Sequence, residues 1–167
     1  MQRAYSLTQP FATLVALGYK LKETRSKRTH YRGPLLIHAS STRNRWAREA
    51  CQTPIIAAIL AKHGLTYDTL PRGVLLCRVE LLDVALITDL PAPAGVRTLS
   101  PSGPELSDTE RAVGLYSEGR YAWLLSPPEV LPEPVPASGA LSFWDATPAL
   151  EAHQVARQLA QAEVPTC

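Results

Sequence analysis

The longest β-prone run of the sequence is GVLLCRVELLDVALI, which spans Gly73–Ile87. Its length and its valine, leucine and isoleucine content predict two strand faces joined by a bend. Shorter strands are predicted for RGPLLIHAS (32–40), for the alternating GRYAWLLS (119–126) and for Ala140–Trp144, and KLKETRSKR (20–28) is expected to be extended. Short strands with helices grouped early and last predict an α+β barrel rather than a doubly wound sheet.

Four helices are predicted from capping residues and from prolines at first turns. The first begins at Pro10 and ends at Gly18, the second is STRNRWAREACQ with its cap near Ser41 or Thr42, the third runs from Thr53-Pro54 to Gly64, and the last begins at Thr147-Pro148. Residues 88–111 are rich in proline, glycine and serine without an apolar period, and PEVLPEPVPASG is expected to form turns. A connection as long as 88–111 is usually functional or mobile.

The 167 residues are enough for one domain that buries a real core. We expect residues 1–146 to form that domain and residues 147–167 to form a C-terminal helix and tail. Cys51, Cys77 and Cys167 are odd in number and widely spaced, which indicates a reducing compartment rather than a disulfide framework. The apolar run FATLVALG is far too short to cross a bilayer. A cytoplasmic protein without a membrane partner is therefore predicted.

Familiar catalytic motifs are missing from the sequence. It contains no P-loop, G-x-G-x-x-G, H-E-x-x-H or G-x-S-x-G. The four histidines lack the spacing of metal ligands. We therefore expect neither a cofactor nor a metal.

Charge is divided unevenly along the chain. Residues 1–50 hold ten lysines and arginines against two glutamates, whereas the other 117 residues hold seven against thirteen acidic residues. Six of the basic residues and only one acidic residue, Glu23, stand between Gly18 and Gly33. A basic surface of this kind attracts phosphate. It is also typical of a solvated edge strand whose charges prevent edge-to-edge pairing, and charge alone does not separate the two interpretations.

The alternation of an extended chain predicts how this basic stretch presents its side chains. Glu23, Arg25 and Lys27 are expected on one face, and Lys22, Thr24, Ser26 and Arg28 are expected on the other. Lys20 stands at the turn before the strand, so its ammonium can reach the same region as Glu23 and Arg25. A lysine, a carboxylate and an arginine around one cleft mouth can hold a base edge and a phosphate, or perform acid–base chemistry.

Further candidates extend this site. Six further basic residues either form a continuous basic surface or belong to a solvated face without a ligand. They are Lys27, Arg28, Arg32, Arg43, Arg45 and Arg48. Tyr121 and Trp123 share a strand face, where one of them can stack on a base or belong to the core.

The chain resembles an ASCH domain, the activating-signal-cointegrator homology domain of the PUA-like superfamily. The residues that carry the likeness are SLTQPFATLVALGYKLKETRS, YRGPLLIHAS, GRYAWLLS and PASGALSFW. The signature G-x-K-x-x-E-x-R is met by Gly18, Lys20, Glu23 and Arg25. The resemblance implies a small PUA-like β-barrel with helices packed at its ends, a cleft beside the signature, and RNA binding.

Some small relatives of this family are amidohydrolases of acetylated cytidine nucleosides, and some are reported as ribonucleases. The amidohydrolases use a lysine, a threonine and a glutamate. Lys20 matches the lysine, but Glu23 holds the threonine position, and Thr24 lies one residue away, on the opposite face of a strand. Glu105, Glu110 and Glu118 are candidates for the glutamate. We therefore predict binding of RNA or a nucleotide through Lys20, Glu23 and Arg25; the alternative is a hydrolase with Lys20, Glu23 and Thr24 as catalytic residues.

Overall fold

One long strand organises the molecule. The computed structural model describes residues 1–91 and 94–162, and within them the chain is α+β, with an eight-stranded mixed sheet and five helices. The strands are β1 (Arg3–Leu7), β2 (Lys22–Arg25), β3 (Gly33–Ala39), β4 (Val74–Ile87), β5 (Thr98–Leu99), β6 (Tyr121–Leu125), β7 (Glu129–Pro136) and β8 (Phe143–Asp145). The helices are α1 (Phe11–Ala16), α2 (Arg45–Cys51), α3 (Pro54–Lys62), α4 (Asp108–Ala112) and α5 (Thr147–Ala162).

The strand order is β2-β6-β4-β3-β1-β8, and β5 and β7 also pair with β4. The run predicted as two strand faces is one continuous strand whose two halves have different partners. Its first half pairs with β3 and β7, and its second half pairs with β6 and β5. The register against β6 shifts between Leu81 and Asp83, which is where one half gives way to the other.

The predicted closed barrel is not formed, because the hydrogen-bonded path within the described residues ends at β2 and β8. Side-chain contacts, rather than backbone hydrogen bonds, span the gap between the two edges of the sheet. The ring of Tyr5 on β1 lies 5.0 Å from that of Trp123 on β6, and Phe143 on β8 stacks on Trp123 at 5.3 Å. These contacts join strands that are distant in the sheet order, so the sheet is strongly curled. Both edge strands are short, at four and three residues, and the aromatic rings fill the space between them.

Three elements differ from those predicted. The segment expected as proline-broken turns is the strand β7, which tolerates its prolines because it pairs with β4 alone. The stretch 88–111 contains β5 and most of α4, whose cap is Ser107. The cap of α2 is Asn44 rather than Ser41 or Thr42, since its side chain accepts a hydrogen bond from the Ala47 N–H.

The described residues form four core clusters, and α1 contributes to two of them. One cluster lies between the sheet and α1, and a second lies among α1, α2 and α3, with Leu14, Ala47 and Ile56 at its centre. Among the described helices none is both long and apolar enough to span a bilayer. The division into residues 1–146 and 147–167 stays a prediction, and Cys167 lies outside the described residues.

Candidate functional site

The turn after α1 directs Lys20 into the protein. Gly18 follows the helix with a φ of +80°, a conformation that favours glycine. The N–H groups of Tyr19 and Lys20 both donate to the Leu14 carbonyl, at 2.9 and 3.1 Å. The chain therefore wraps the end of α1 before it enters β2. This explains why the signature begins with glycine and why its lysine stands two residues later.

Lys20 is buried, with a side chain only 2% exposed. Its Nζ donates to the Lys22 carbonyl at 2.7 Å and lies 3.3 Å from Glu23 Oε2. The ring of Phe11 is 5.8 Å from the same ammonium. The Lys20 side chain is therefore buried beside Glu23 rather than exposed at the mouth of a cleft. A buried ammonium requires compensating partners, and the carboxylate and the carbonyl supply them.

Glu23 links Lys20 to Arg25. Its second oxygen, Oε1, lies 3.0 Å from Arg25 Nη2, so both residues share one face of β2, as the alternation predicted. The Arg25 guanidinium also lies 4.5 Å from the centre of the Tyr5 ring. Arg25 Nε is buried and has no hydrogen-bond partner among the described residues. Lys20, Glu23 and Arg25 form what we call the charged triad, which carries one excess positive charge.

A cavity of about 440 Å³ borders the charged triad, and we call it the first cavity. Its other walls come from β1, the helices α1, α2 and α3, and the residues around the end of α4, including Ala112 to Leu115. Phe11 and Trp46 form an aromatic wall, since their rings stack at 5.8 Å and 21°. Trp46 is 51% exposed. The first cavity thus combines a π surface with a fixed set of charges.

Sequence reasoning did not identify Trp46 as a site residue. The available signal was a tryptophan among the arginines of STRNRWAREACQ, since an exposed ring beside cations is common where nucleic acid binds. The predicted stacking residue Trp123 has a different place. It is 5% exposed and covered by Phe143 and Tyr5, so a base reaches its ring only by displacing them. Tyr121 packs partly buried against the same core cluster.

Thr24 and Glu110 are neighbours of the charged triad: Thr24 stands between Glu23 and Arg25 on β2 and also lines the first cavity, and Glu110 contacts Leu21. Thr24 is 7% exposed, and its hydroxyl oxygen accepts a hydrogen bond from the Leu115 N–H at 3.1 Å. Glu110 is buried and accepts hydrogen bonds from the Leu21 N–H at 2.5 Å and from the Tyr116 hydroxyl at 2.9 Å. Burial, reinforced by the Glu110 charge, raises the pKa of Tyr116 well above its ordinary value.

Of the three candidate glutamates, the structure brings Glu110 to the site, whereas Glu105 and Glu118 are exposed. The pattern Ser107-x-x-Glu110 is the local signal of a helix start. The contact between Glu110 and Leu21 joins residues 89 positions apart, and no local pattern predicts it.

The predicted continuous basic surface is interrupted by acidic partners. Arg43 and Arg48 pair with Asp68 at 3.3 and 3.4 Å, Arg45 with Glu49 at 2.7 Å, and Arg32 with Asp83 at 3.0 Å. Lys27 and Arg28 are exposed in the loop after β2. The net charge of these arginine groups is thus smaller than the count of basic residues suggested.

The family model of the ASCH domain matches residues 6–126. The chain belongs to the ASCH domain family. Proteins of this family have a PUA-like fold and are generally RNA-binding or hydrolase-like. In this ASCH domain the sheet continues beyond the matched residues, because β7 and β8 pair with β4 and β1. A comparison with curated proteins found no match.

Proposed function

We propose that this ASCH domain binds single-stranded RNA or a nucleotide, with one base in the first cavity and the charged triad at its edge. The observation that carries the proposal is the shared boundary: the aromatic wall and all three triad residues line one cavity of about 440 Å³. That volume lies in the usual range of small-ligand sites, roughly 300–1,000 Å³. The mixture of an apolar wall with a few fixed polar groups is also typical of such sites.

The aromatic wall suits a nucleobase. Phe11 supports Trp46 from one side, while Trp46 stays half exposed. A base that stacks on an aromatic side chain typically contributes about 1–3 kcal/mol to binding. Because every base has a π face, this contact favours single-stranded nucleic acid without fixing its sequence.

The charged triad supplies the polar contacts. A carboxylate oxygen has more than one lone pair, so Glu23 can accept a hydrogen bond from a base amino group while it keeps both cations. Arg25 offers a partly exposed guanidinium, which suits a phosphate or a carbonyl. Lys27 and Arg28 add phosphate contacts from the neighbouring loop. The arginines of α2 contribute less, because acidic side chains already neutralise them.

The arrangement favours a binding protein over an amidohydrolase. The Lys20 nitrogen faces two oxygen acceptors, the Lys22 carbonyl and the Glu23 carboxylate, and this environment suits an ammonium that holds an ion pair better than a general base. The Thr24 hydroxyl is buried and accepts from Leu115, and Glu23 occupies the threonine position of the amidohydrolases. Besides Thr24, the hydroxyl-bearing residues that line the first cavity in the described part of the chain are Thr8 and Thr53.

Fluorescence anisotropy with a labelled single-stranded RNA tests the proposal. Trp46→Ala should weaken binding about 5- to 150-fold, the loss expected from one stacked base. Leu82→Ala is the matched control, since Leu82 is a large exposed apolar residue, 58% exposed, that does not line the first cavity. Equal affinity of the wild type and Trp46→Ala would overturn the proposal.

A parallel assay separates binding from hydrolysis. The purified protein is incubated with acetylcytidine, and the release of cytidine is followed beside a Lys20→Met control. We expect no turnover above that control, and no cleavage of the bound RNA on a denaturing gel. Turnover well above the control would replace the binding function with the amidohydrolase.

A further inference from the structure

A second cavity, of about 500 Å³, adjoins the first. The two cavities share Thr8 and Arg25 as lining residues. The second cavity is enclosed by β1, by residues 38–42 at and after the end of β3, and by the loop 139–142 before β8. We call it the polar cavity. Arg25 therefore lies at the boundary between the two cavities.

The lining of the polar cavity is suited to a sugar and a phosphate. Seven of its residues carry hydroxyl groups: Tyr5, Ser6, Thr8, Ser40, Ser41, Thr42 and Ser142. Arg25 provides a positive charge, and none of the lining residues is a carboxylate. Hydroxyl and guanidinium donors together are the usual partners of sugar and phosphate oxygens. No carboxylate therefore faces a phosphate directly from these walls, and Glu23, which pairs with Arg25, lines the first cavity instead.

A hydrogen-bonded network holds one wall of the polar cavity in place. His38 is 2% exposed; its Nε2 lies 3.1 Å from the Ala137 carbonyl and its Nδ1 lies 3.0 Å from Ser6 Oγ. The carbonyl can only accept, so Nε2 carries the proton and Nδ1 accepts from the Ser6 hydroxyl. The Trp144 indole N–H donates to the same Ser6 oxygen at 3.1 Å. The bond from His38 to Ala137 thus joins β3 to the segment before β8, and the bond from Trp144 to Ser6 joins β8 to β1. The bond between Ser6 and His38 joins β1 to β3.

Gly139 allows the loop to approach this network closely. A Cβ atom at this position would lie 2.4 Å from the His38 ring and 2.6 Å from Ser6 Oγ. Ser142, at the other end of the loop, adopts a φ of +62°, which non-glycine residues rarely take. The polar cavity is therefore a preformed space between fixed backbone segments.

We propose that the polar cavity holds the sugar and phosphate of a second nucleotide, so that the ligand is a single-stranded oligonucleotide of at least two residues. This inference rests on the proposed function, because it places the first base in the first cavity. Arg25 then contacts the phosphate that links the two nucleotides. The exposed hydroxyls of Ser41 and Thr42 donate to the second sugar and phosphate.

The test compares ribonucleoside 5′-monophosphates with the homodinucleotides of the same bases, titrated by calorimetry. Dinucleotides should bind at least tenfold more tightly than monophosphates. The double variant Ser41→Ala, Thr42→Val should lose most of this gain, because it removes two exposed donors without altering the buried network. Ser117→Ala is the control, since Ser117 is an exposed serine that lines neither cavity.

The outcomes separate the two proposals. If monophosphates bind and Trp46→Ala weakens them, but dinucleotides bind no better, the polar cavity holds no second nucleotide and the proposed function stands. A dinucleotide advantage that the double variant retains in full also overturns the inference. If neither ligand nor the labelled RNA binds, the proposed function itself fails, and the inference fails with it.

Discussion

The charged triad and three arginines in and just before α2 (Arg43, Arg45 and Arg48) come from the same basic third of the chain, but they differ in burial. The triad has side chains that are between 2% and 30% exposed, and Glu23 contacts both cations. Arg43, Arg45 and Arg48 have side chains that are 54–91% exposed, and each pairs with an acid on the surface. A buried ion needs its partner to offset the free-energy cost of leaving water, whereas an exposed ion pair contributes little to the stability of the fold.

This difference shows that burial decides which charges define the site. A count of basic residues gives Arg45 and Lys20 the same weight. Lys20 is held in one position by two fixed oxygen partners, while Arg45 extends into solvent with a side chain 91% exposed. The charges beside the first cavity are therefore held by several partners, whereas those along α2 are exposed to solvent.

The largest expected effect is on stability. Glu23→Gln removes the charge that compensates Lys20 and Arg25, and we expect a loss of roughly 3 kcal/mol in the free energy of unfolding, measured with urea. Glu49→Gln is the matched control, because it breaks the exposed pair with Arg45; its effect should stay below about 0.5 kcal/mol. Similar losses in both variants would show that burial does not distinguish the two groups.

A buried and an exposed histidine should likewise differ in how they make stability depend on pH. Burial lowers the pKa of His38, although the hydrogen bond to the Ala137 carbonyl opposes this shift. The unfolded chain therefore takes up a proton near pH 6.5, while folded His38 takes it up only at lower pH. Stability contributed by neutral His38 is present above pH 6.5 and is lost as the pH falls towards the folded pKa, with a slope of at most about 1.4 kcal/mol per pH unit.

Urea unfolding at several pH values between 7.5 and 5 measures this dependence. His38→Gln should remove part of the acid-induced loss, and His30→Gln, which changes an exposed histidine, should retain it. An unchanged pH profile in His38→Gln would mean that His38 does not stay neutral in the folded protein.

The smallest expected effect concerns salt. Each phosphate contact with single-stranded nucleic acid adds about 0.7 to the slope of log affinity against log salt. Lys27→Gln with Arg28→Gln should therefore reduce the slope by roughly 1.4, as measured by anisotropy at several salt concentrations. The triple variant Arg43→Gln, Arg45→Gln, Arg48→Gln should reduce it less, because acids already pair with these arginines. A larger reduction in the triple variant would show that these three arginines are the main phosphate contacts.

Sequence reasoning succeeded where local pattern determines structure. The strands around Leu36, Cys77 and Trp123 and the helix after Pro54 all lie in segments whose periodicity or capping predicted them. The spacing of Lys20, Glu23 and Arg25 also predicted their meeting, because a turn and one short strand position all three.

It failed where distant segments decide the outcome. Strand β7 looks like turns because of its prolines, and only the free edge of β4 makes it a strand. The sheet is open between β2 and β8, and the rings of Tyr5, Trp123 and Phe143, which are far apart in the chain, pack together there. The same holds for Glu110, whose partner Leu21 belongs to another part of the chain. The burial of Lys20 also results from contacts between distant segments, and no local sequence pattern predicts it.

The most direct test of base binding beside the charged triad is the quenching of tryptophan fluorescence by single-stranded RNA. A base stacked on Trp46 should quench its exposed, red-shifted emission in the wild type. Trp46→Phe keeps an aromatic ring for the base, so it should still bind the RNA by anisotropy but lose the quenching. Undiminished quenching in Trp46→Phe would contradict the account, because it would place the base against Trp123 or Trp144.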